Sequence, residues 1–257
     1  MIKMDIKFTT PDGYTSDIAV FTITSESNGE YKPPMKKLKI MLIKRSEQDH
    51  EGNLNIEAGK WALPGGFVHP SETAFQTAER KLVEETGVEG LRIKHFGVYD
   101  SPSRDKRGWI ISNAHYVIAN ETALKNRKTT YDAQDIQLFT IEEALALNLA
   151  FDHRTIIEDA RWFIKKDMAL TTLAKHFLPE EFVLSELQGV LMTVLDDPSI
   201  STDAAFFRKA PTLPFIEAVT ENGKPKKSNT YSKTPAQLYR FNDFQPIVSV
   251  YRNKLQG

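Results

Sequence analysis

The sequence of 257 residues contains no cysteine. This absence excludes disulfides, thiolate metal sites and cysteine nucleophiles, and it is compatible with a reducing cytoplasm. No apolar stretch approaches the roughly 18 residues of a membrane-spanning helix, so we expect no membrane partner. Glycine and proline are sparse, with 13 of each, which excludes a collagen-like chain. The first ten residues lack the apolar core of a secretory signal, and we therefore predict a globular cytoplasmic protein.

The chain length and its hydrophobic periodicity indicate two domains. At roughly 150 residues per domain, the length corresponds to about 1.7 domains. Strand-like runs with a few helices predict an α+β domain over residues 1–165. A second domain is predicted over residues 166–257, where helical segments are followed by a β-hairpin with a basic loop. That order is the layout of a winged helix-turn-helix.

The formal net charge of −1 results from two parts of opposite sign. Residues 201–257 contain nine Lys and Arg against four Asp and Glu, a net charge of +5. The other residues carry 24 basic against 30 acidic side chains, a net charge of −6. A basic end on an acidic body indicates a polyanion partner, although from charge alone a solvated surface is the better interpretation.

One helix carries the most specific motif of the chain. The motif reads Gly66-x5-Glu72-x7-Arg80-Lys81-Leu82-x-Glu84-Glu85-x-Gly87-Val88, and we expect Ser71 to cap the helix and Gly87 to end it. It resembles the Nudix box, Gly-x5-Glu-x7-Arg-Glu-U-x-Glu-Glu-x-Gly-U with U aliphatic, at eight of nine fixed positions. The resemblance implies a Nudix α/β/α sandwich with a mixed sheet.

Lys81 is the position at which the motif departs from the Nudix box. Helical spacing places Lys81, Glu84 and Glu85 on one side of the helix. Working Nudix enzymes have Glu at all three positions, and clustered carboxylates bind Mg²⁺. The resemblance implies that Glu84 and Glu85 serve in catalysis and hold the metal, with Glu72 as a further metal ligand. An ammonium at position 81 removes one ligand and competes with Mg²⁺.

Two interpretations of Lys81 stay open. In the first, which we favour, hydrolysis is lost or impaired while nucleotide binding survives. In the second, Lys81 swings aside and a base from another loop supports catalysis.

A polar loop between two strands carries a second motif, Pro102-Ser103-Arg104-Asp105-Lys106-Arg107-Gly108. It resembles the Pro-x-Arg-Asp-x-Arg-Gly loop of ADP-ribose-handling Nudix proteins. Guanidinium groups bind phosphate oxygens in bidentate fashion, so both arginines suit a diphosphate. The alternative is a surface loop in which Arg104 and Asp105 merely pair.

The ligand-binding residues expected from these two motifs are Gly65, Gly66, Arg80, Arg104, Asp105 and Arg107. We expect the two glycines to let the chain turn and approach the diphosphate. Trp61 and Phe67 are candidates for stacking on an adenine, or else core residues. His153 is as readily a capping or packing residue as a functional one.

Three C-terminal segments resemble the winged-helix domain of Nudix-related transcriptional regulators of NAD metabolism: 178–188, 206–209 and 235–241. The resemblance implies that double-stranded DNA is a partner and that the chain forms a homodimer. The expected DNA-binding residues are Arg208, Lys209, Lys224, Lys226 and Lys227. The alternative is a protein-binding or dimerisation domain with a solvated basic loop.

Two functions follow for the whole chain. The first is a transcriptional regulator that senses ADP-ribose or a related NAD-derived nucleotide through a catalytically impaired Nudix domain. The second is a Mg²⁺-dependent ADP-ribose pyrophosphatase, whose C-terminal part serves assembly. A purely structural interaction protein has little support, because it would need neither motif.

Overall fold

A computed structural model describes residues 9–48, 52–87, 91–126 and 133–246. Val88, the last position of the box, lies outside these ranges. The N-terminal part is built on a seven-stranded mixed sheet in the order β3-β2-β1-β6-β5, in which β4 also pairs with β1 and β7 with β2. Strands β1 and β6 are parallel, and the other pairs are antiparallel. The strands are β1 (Gly13–Glu26), β2 (Met35–Arg45), β3 (Trp61–Ala62), β4 (Gly65–Phe67), β5 (Ile93–Tyr99), β6 (Ile110–Ile118) and β7 (Ala133–Thr140).

Both faces of this sheet are covered by helices. The helices are α1 (Ala74–Thr86), α2 (Ile141–Ala146) and α3 (His153–Leu170). Strand β1 shows why, since Ile18 and Val20 join the apolar cluster of α1, while Phe21 joins the cluster of α3. Alternate side chains of a strand point to opposite faces, so the strand requires cover on both sides. The expected α/β/α sandwich with a mixed sheet is confirmed.

The start of α1 differs from the sequence prediction. The N-cap is Thr73, not Ser71, and it forms a capping box with Gln76. Thr73 Oγ1 accepts the backbone N–H of Gln76 at 3.2 Å, and Gln76 Oε1 accepts that of Thr73 at 2.8 Å. The reciprocal pair satisfies two otherwise unbonded amides, which a serine two residues earlier would not reach. The predicted end is correct, because Gly87 has a φ of 70° and donates to Val83 O.

The C-terminal part contains short helices followed by small β-ladders. Its helices are α4 (Leu184–Met192), α5 (Pro198–Ser201) and α6 (Asp203–Lys209). Its strands are β8 (Ile216–Ala218), β9 (Thr220–Glu221), β10 (Lys224–Pro225), β11 (Lys227–Ser228), β12 (Ala236–Gln237) and β13 (Tyr239–Phe241). Gln188 on α4 donates to Ile200 O at 2.8 Å and Asp203 Oδ1 at 3.0 Å, which holds the three helices together. None of the described helices has an apolar stretch of membrane-spanning length.

One apolar core connects the two parts. The cluster on the α3 face of the sheet continues without interruption into Phe182, Leu187 and Val190 around α4 and on to Phe206 of α6. Helix α3 also runs through the predicted boundary between residues 165 and 166 and ends at Leu170. The winged-helix part therefore packs directly on the sheet domain, and the boundary at 165 stays a prediction.

Candidate functional site

A cleft of about 600 Å³ lies beside β1 and β4 and is bordered by α1 and the start of α3. All six residues expected to bind ligand line it: Gly65, Gly66, Arg80, Arg104, Asp105 and Arg107. Five of its lining side chains are Arg or Lys and three are Asp or Glu. Arg and Lys therefore outnumber Asp and Glu on the wall of the cleft, and four of the five, namely Arg80, Lys81, Arg104 and Arg107, are held in place by carboxylates.

The two glycines have a different role from the turn that the sequence suggested. Gly65 and Gly66 lie in strand β4 opposite Asp17 and Ser16 of β1. A Cβ on Gly65 would lie 2.5 Å from Ser16 O, and one on Gly66 would lie 2.6 Å from Lys81 Cε. Gly65 is therefore required by close strand packing, and Gly66 by the lysine side chain that crosses it.

All three guanidinium nitrogens of Arg80 donate hydrogen bonds to protein oxygens. Its Nε and Nη2 donate to the two oxygens of Glu72 at 3.0 and 2.6 Å, and its Nη1 donates to Glu84 Oε1 at 3.2 Å. Nη2 also donates to Phe67 O at 3.3 Å. These bonds from Arg80, followed by the backbone N–H of His69, hold the pKa of Glu72 well below its usual range. Arg80 thus positions the box carboxylates and β4.

Lys81 lines the cleft and forms an ion pair with a carboxylate of the Nudix-box helix. Its Nζ lies 2.9 Å from Glu84 Oε2, and its side chain is 19% exposed. Arg80 already holds Glu84 Oε1, so both oxygens of Glu84 face protein cations. Partial burial raises the pKa of Glu84, but Lys81 and Arg80 together bring it below its ordinary value.

The box carboxylates do not fit a divalent cation. Glu72 and Glu84 have both oxygens in bonds to Arg80 or Lys81, while Glu85 is buried in the cleft. Across the described ranges, no three His, Asp or Glu side chains come together in a group that could hold a metal. The expected set of Glu72, Glu84 and Glu85 is therefore not assembled as a metal site.

Arg104 is the centre of a buried ion-pair network. Its Nε and Nη2 donate to the two oxygens of Asp152 at 2.9 and 2.7 Å, and Nη2 also approaches Asp17 Oδ2 at 3.4 Å. The Arg104 side chain is only 3% exposed. The pairing of Arg104 with Asp105 does not occur, because Asp105 binds Arg107 instead. Arg104 joins β1 to the residue that precedes α3.

His153 and Asp17 extend this network to the floor of the cleft. His153 Nδ1 accepts the backbone N–H of Leu63 at 2.9 Å, so the ring hydrogen lies on Nε2, which is 3.7 Å from Asp17 Oδ2. Ser112 Oγ donates to the same oxygen at 2.6 Å. Burial raises the pKa of Asp17, but His153, Ser112 and Arg104 outweigh it and lower the pKa. His153 is therefore a buried positioning residue.

Arg107 lies between two aromatic rings at the mouth of the cleft. Its guanidinium carbon is 4.8 Å from the centre of the Phe67 ring and 5.4 Å from that of Phe151. Asp105 orients it by accepting from Nε and Nη2. Trp61 is absent from the lining of the cleft and packs edge-on against Phe139 in the core.

Sequence reasoning missed two cleft residues, Arg45 and Asp17. Arg45 ends β2, donates to Ile56 O at 2.9 Å, and lies 5.2 Å from the centre of the Phe151 ring. Phe151 itself has a φ of 51°, which is unusual outside glycine and marks a backbone position held by its surroundings. No local motif identified Asp17, whose partners Arg104 and Ser112 lie 87 and 95 positions away, or Arg45, whose contact with Phe151 joins distant parts of the sequence.

The second candidate surface is on the C-terminal part. Arg208 and Lys209 lie in the last turn of α6 and are exposed, while Phe206 of the same helix is buried. The turn between β9 and β10 is formed by Asn222 and Gly223, both with positive φ, which is the two-residue hairpin turn that matches strand twist. Lys224 and Lys227 flank this hairpin and are exposed.

Lys226 differs from the other four basic residues. Its Nζ lies 2.7 Å from Glu181 Oε2, in the segment that precedes α4. Among the described residues, neither Arg208, Lys209, Lys224 nor Lys227 has such an ion pair. Four exposed cations are thus available to a polyanion, and Lys226 fastens the hairpin to the helical part.

Comparison with protein families matches two stretches of the chain. Residues 16–160 match the NUDIX domain, and residues 174–241 match the NrtR DNA-binding winged helix domain.

Individual relatives give the same assignment. The chain is 28% identical over 229 residues to the "ADPR responsive transcriptional repressor NtrR" of Acinetobacter baylyi, a match that covers 88% of this chain and 81% of the relative. It is 39% identical over 130 residues to the "ADP-ribose pyrophosphatase" of Methanocaldococcus jannaschii, covering 49% and 69%. The solved structure of Shewanella oneidensis NrtR complexed with a 27mer DNA superposes with a TM-score of 0.63 at 27% identity, covering 89% of this chain and 93% of that one.

Proposed function

Because the chain belongs to the Nudix family and carries an NrtR DNA-binding winged helix domain, we propose that it is an ADP-ribose-sensing transcriptional regulator. The cleft binds ADP-ribose or a related NAD-derived nucleotide, and the winged helix binds double-stranded DNA. The observation that carries this proposal is one chain in which a cleft lined by arginines and Lys81 and a C-terminal part with exposed basic residues share a continuous core. The similarity to a repressor that responds to ADP-ribose supports it.

Each part of the cleft suits one part of such a ligand. Arg107 supplies positive charge to the diphosphate, and the rings of Phe67 and Phe151 hold its guanidinium in place. Arg104 and Asp105 position this loop. Gly65 lets β4 lie close to β1, and Gly66 leaves the space that the Lys81 side chain occupies in the cleft.

We propose that hydrolysis is impaired in this chain. Members of the Nudix family use a divalent metal, yet Arg80 and Lys81 occupy the carboxylates of Glu72 and Glu84 that would serve as ligands. A Mg²⁺ ion beside the ammonium of Lys81 would meet direct repulsion.

Helix α3 connects the cleft to the DNA-binding part, so that a change at the cleft can reach the winged helix. Asp152, just before α3, binds Arg104 at the cleft, and the apolar face of α3 packs in the core shared with α4 and α6. A nucleotide that favours one position of Arg104 would favour one placement of the winged helix. In a homodimer, that placement sets the spacing of the two DNA-binding surfaces.

The test is retardation of DNA from the upstream region of the chain's own gene, at low salt, with and without ADP-ribose. We expect binding that changes with ADP-ribose. An absence of retardation under every low-salt condition contradicts the proposal.

A second candidate function is Mg²⁺-dependent hydrolysis of ADP-ribose. The 39% identity to an ADP-ribose pyrophosphatase over 130 residues favours it. Incubation with ADP-ribose and Mg²⁺ followed by quantification of AMP separates the two functions, and rapid turnover would contradict impaired hydrolysis. A Lys81→Glu variant that gains turnover would show that the remaining site is intact.

A further inference from the structure

We propose that Lys81 replaces the divalent cation of the cleft, so that a nucleoside diphosphate is bound without metal. The identity of the ligand rests on the proposed function, whereas the replacement of the metal rests on the geometry of Lys81 alone.

The position of Lys81 is defined by the backbone beneath it. Its side chain crosses Gly66, where a Cβ would lie 2.6 Å from Lys81 Cε and 3.5 Å from Nζ. The lack of a side chain on Gly66 thus makes room for the lysine, which lines the cleft. By contrast, Lys106, which pairs with Glu57, has a side chain that is 76% exposed, against 19% for Lys81.

Glu84 fixes the ammonium group without using its full capacity. Nζ approaches Glu84 Oε2 at 2.9 Å, and Glu84 is not among the residues that line the cleft. A lysine ammonium has three donors, so two are left for phosphate oxygens. The carboxylate acts on Lys81 as it would act on a metal, since it holds one positive charge at a fixed place.

The charges around Lys81 also explain why a metal is not needed. A diphosphate must be met by positive charge, and Arg107 and Arg45 line the same cleft as Lys81. Because Arg80 occupies the second oxygen of Glu84, a divalent ion would have to displace two protein cations from one carboxylate. The internal lysine requires no such exchange.

The first measurement is calorimetric titration of the full-length protein with ADP-ribose, once in EDTA and once in excess Mg²⁺. We expect the same dissociation constant in both buffers. A dissociation constant that falls tenfold or more when Mg²⁺ is added overturns the metal-free proposal. If ADP-ribose binds in neither buffer, the proposed function fails instead.

Variants of Lys81 sharpen the result. In Lys81→Met, the length of the side chain is kept and the charge removed, so binding in EDTA weakens by about tenfold. In Lys81→Glu, binding in EDTA weakens further and Mg²⁺ restores it, because the family carboxylate returns. Lys165→Met is the matched control, since Lys165 is an exposed lysine of α3 outside the cleft, and its affinity should be unchanged.

A readout independent of the nucleotide is titration with Mn²⁺ followed by electron paramagnetic resonance. We expect the natural protein to bind no Mn²⁺ at micromolar concentration and Lys81→Glu to bind it. Stoichiometric Mn²⁺ binding by the natural protein that Lys81→Glu does not improve would overturn the proposal, whatever ADP-ribose does.

Discussion

Most basic side chains of the cleft are held in ion pairs, whereas most of those on the winged-helix surface are exposed to solvent. In the cleft, Arg80, Arg104 and Arg107 are bound to carboxylates of the same domain. On the winged helix, Arg208, Lys209, Lys224 and Lys227 are exposed, and no ion pair holds them within the described part of the chain. The same residue types are ordered in the first region and solvated in the second.

This difference matches what each region must recognise. Side chains held by buried partners lose little freedom when a small ligand arrives, which favours selectivity. Exposed lysines find the regularly spaced phosphates of a duplex and release counterions, which gives affinity that depends on salt. Substitutions in the two regions should therefore affect different properties, stability in the first and salt-dependent DNA binding in the second.

Removal of Arg104 is expected to have the largest effect. Arg104→Ala leaves Asp17 and Asp152 without their shared cation, and the loss of one partner of a buried pair costs about 3–5 kcal/mol. Urea denaturation followed by circular dichroism measures this loss. Arg208→Ala, at an exposed arginine of α6, is the matched control and should change stability by less than about 0.5 kcal/mol. Equal effects of the two variants would contradict the contrast between the regions.

Acid is expected to weaken the sheet domain through His115. Burial and the neighbouring His95 lower the pKa of His115 to about 4, from 6.5. The unfolded chain therefore takes up a proton first, so stability is present above pH 6.5 and is lost as the pH falls toward 4. At a pH of about 5 the loss amounts to about 2 kcal/mol.

Urea denaturation of the natural protein and His115→Gln at a pH of about 7.5 and about 5 tests this. The variant should lose about 2 kcal/mol less on acidification. His69→Gln is the control, because the His69 side chain is 61% exposed. If His115→Gln loses as much stability as the natural protein, another group is responsible.

The exposed lysines beside the hairpin are expected to affect DNA binding and not stability. The double variant Lys224→Ala and Lys227→Ala should weaken DNA binding by about tenfold and reduce the salt dependence by about one unit per lysine. Fluorescence anisotropy with labelled DNA at several salt concentrations measures both quantities. An unchanged slope would show that these lysines do not contact phosphate.

The smallest effect is expected at Lys226. Lys226→Ala breaks a partly exposed ion pair with Glu181, which contributes little to stability because solvent screens it. Its effect on the salt dependence of DNA binding should be smaller than that of Lys227→Ala, because Lys226 is already engaged. The same anisotropy titrations compare the two variants, and a larger change for Lys226→Ala would assign Lys226 to the DNA.

Local patterns predicted much of the fold. The spacing of the Nudix box placed a helix that ends at Gly87, and the basic, turn-rich segment of the C-terminal part placed a hairpin there. These features depend on backbone preferences over a few residues, which the sequence displays directly. The N-cap at Thr73 was also within reach of the sequence, because Thr73 and Gln76 have the spacing of a capping box, whereas Ser71 has Ala74 at the matching position.

The ion pairs of the cleft could not be predicted from local patterns. Arg104 meets Asp17 across 87 positions of sequence and Asp152 across 48. Such pairs are set by the order of strands in the sheet, which no short window encodes. The glycines show the same limit, since Gly65 and Gly66 were expected in a turn and instead lie under close neighbours in β4.

The apolar core that runs from the sheet through α3 into α4 and α6 has a consequence for the lifetime of the protein. Because buried side chains of both parts belong to one core, we expect the two parts to unfold together, which would keep either part from being exposed to proteases alone. Any ligand of the cleft then raises the unfolding free energy of the winged helix by mass action. The concentration of the nucleotide would thereby govern how long each copy of the protein escapes degradation.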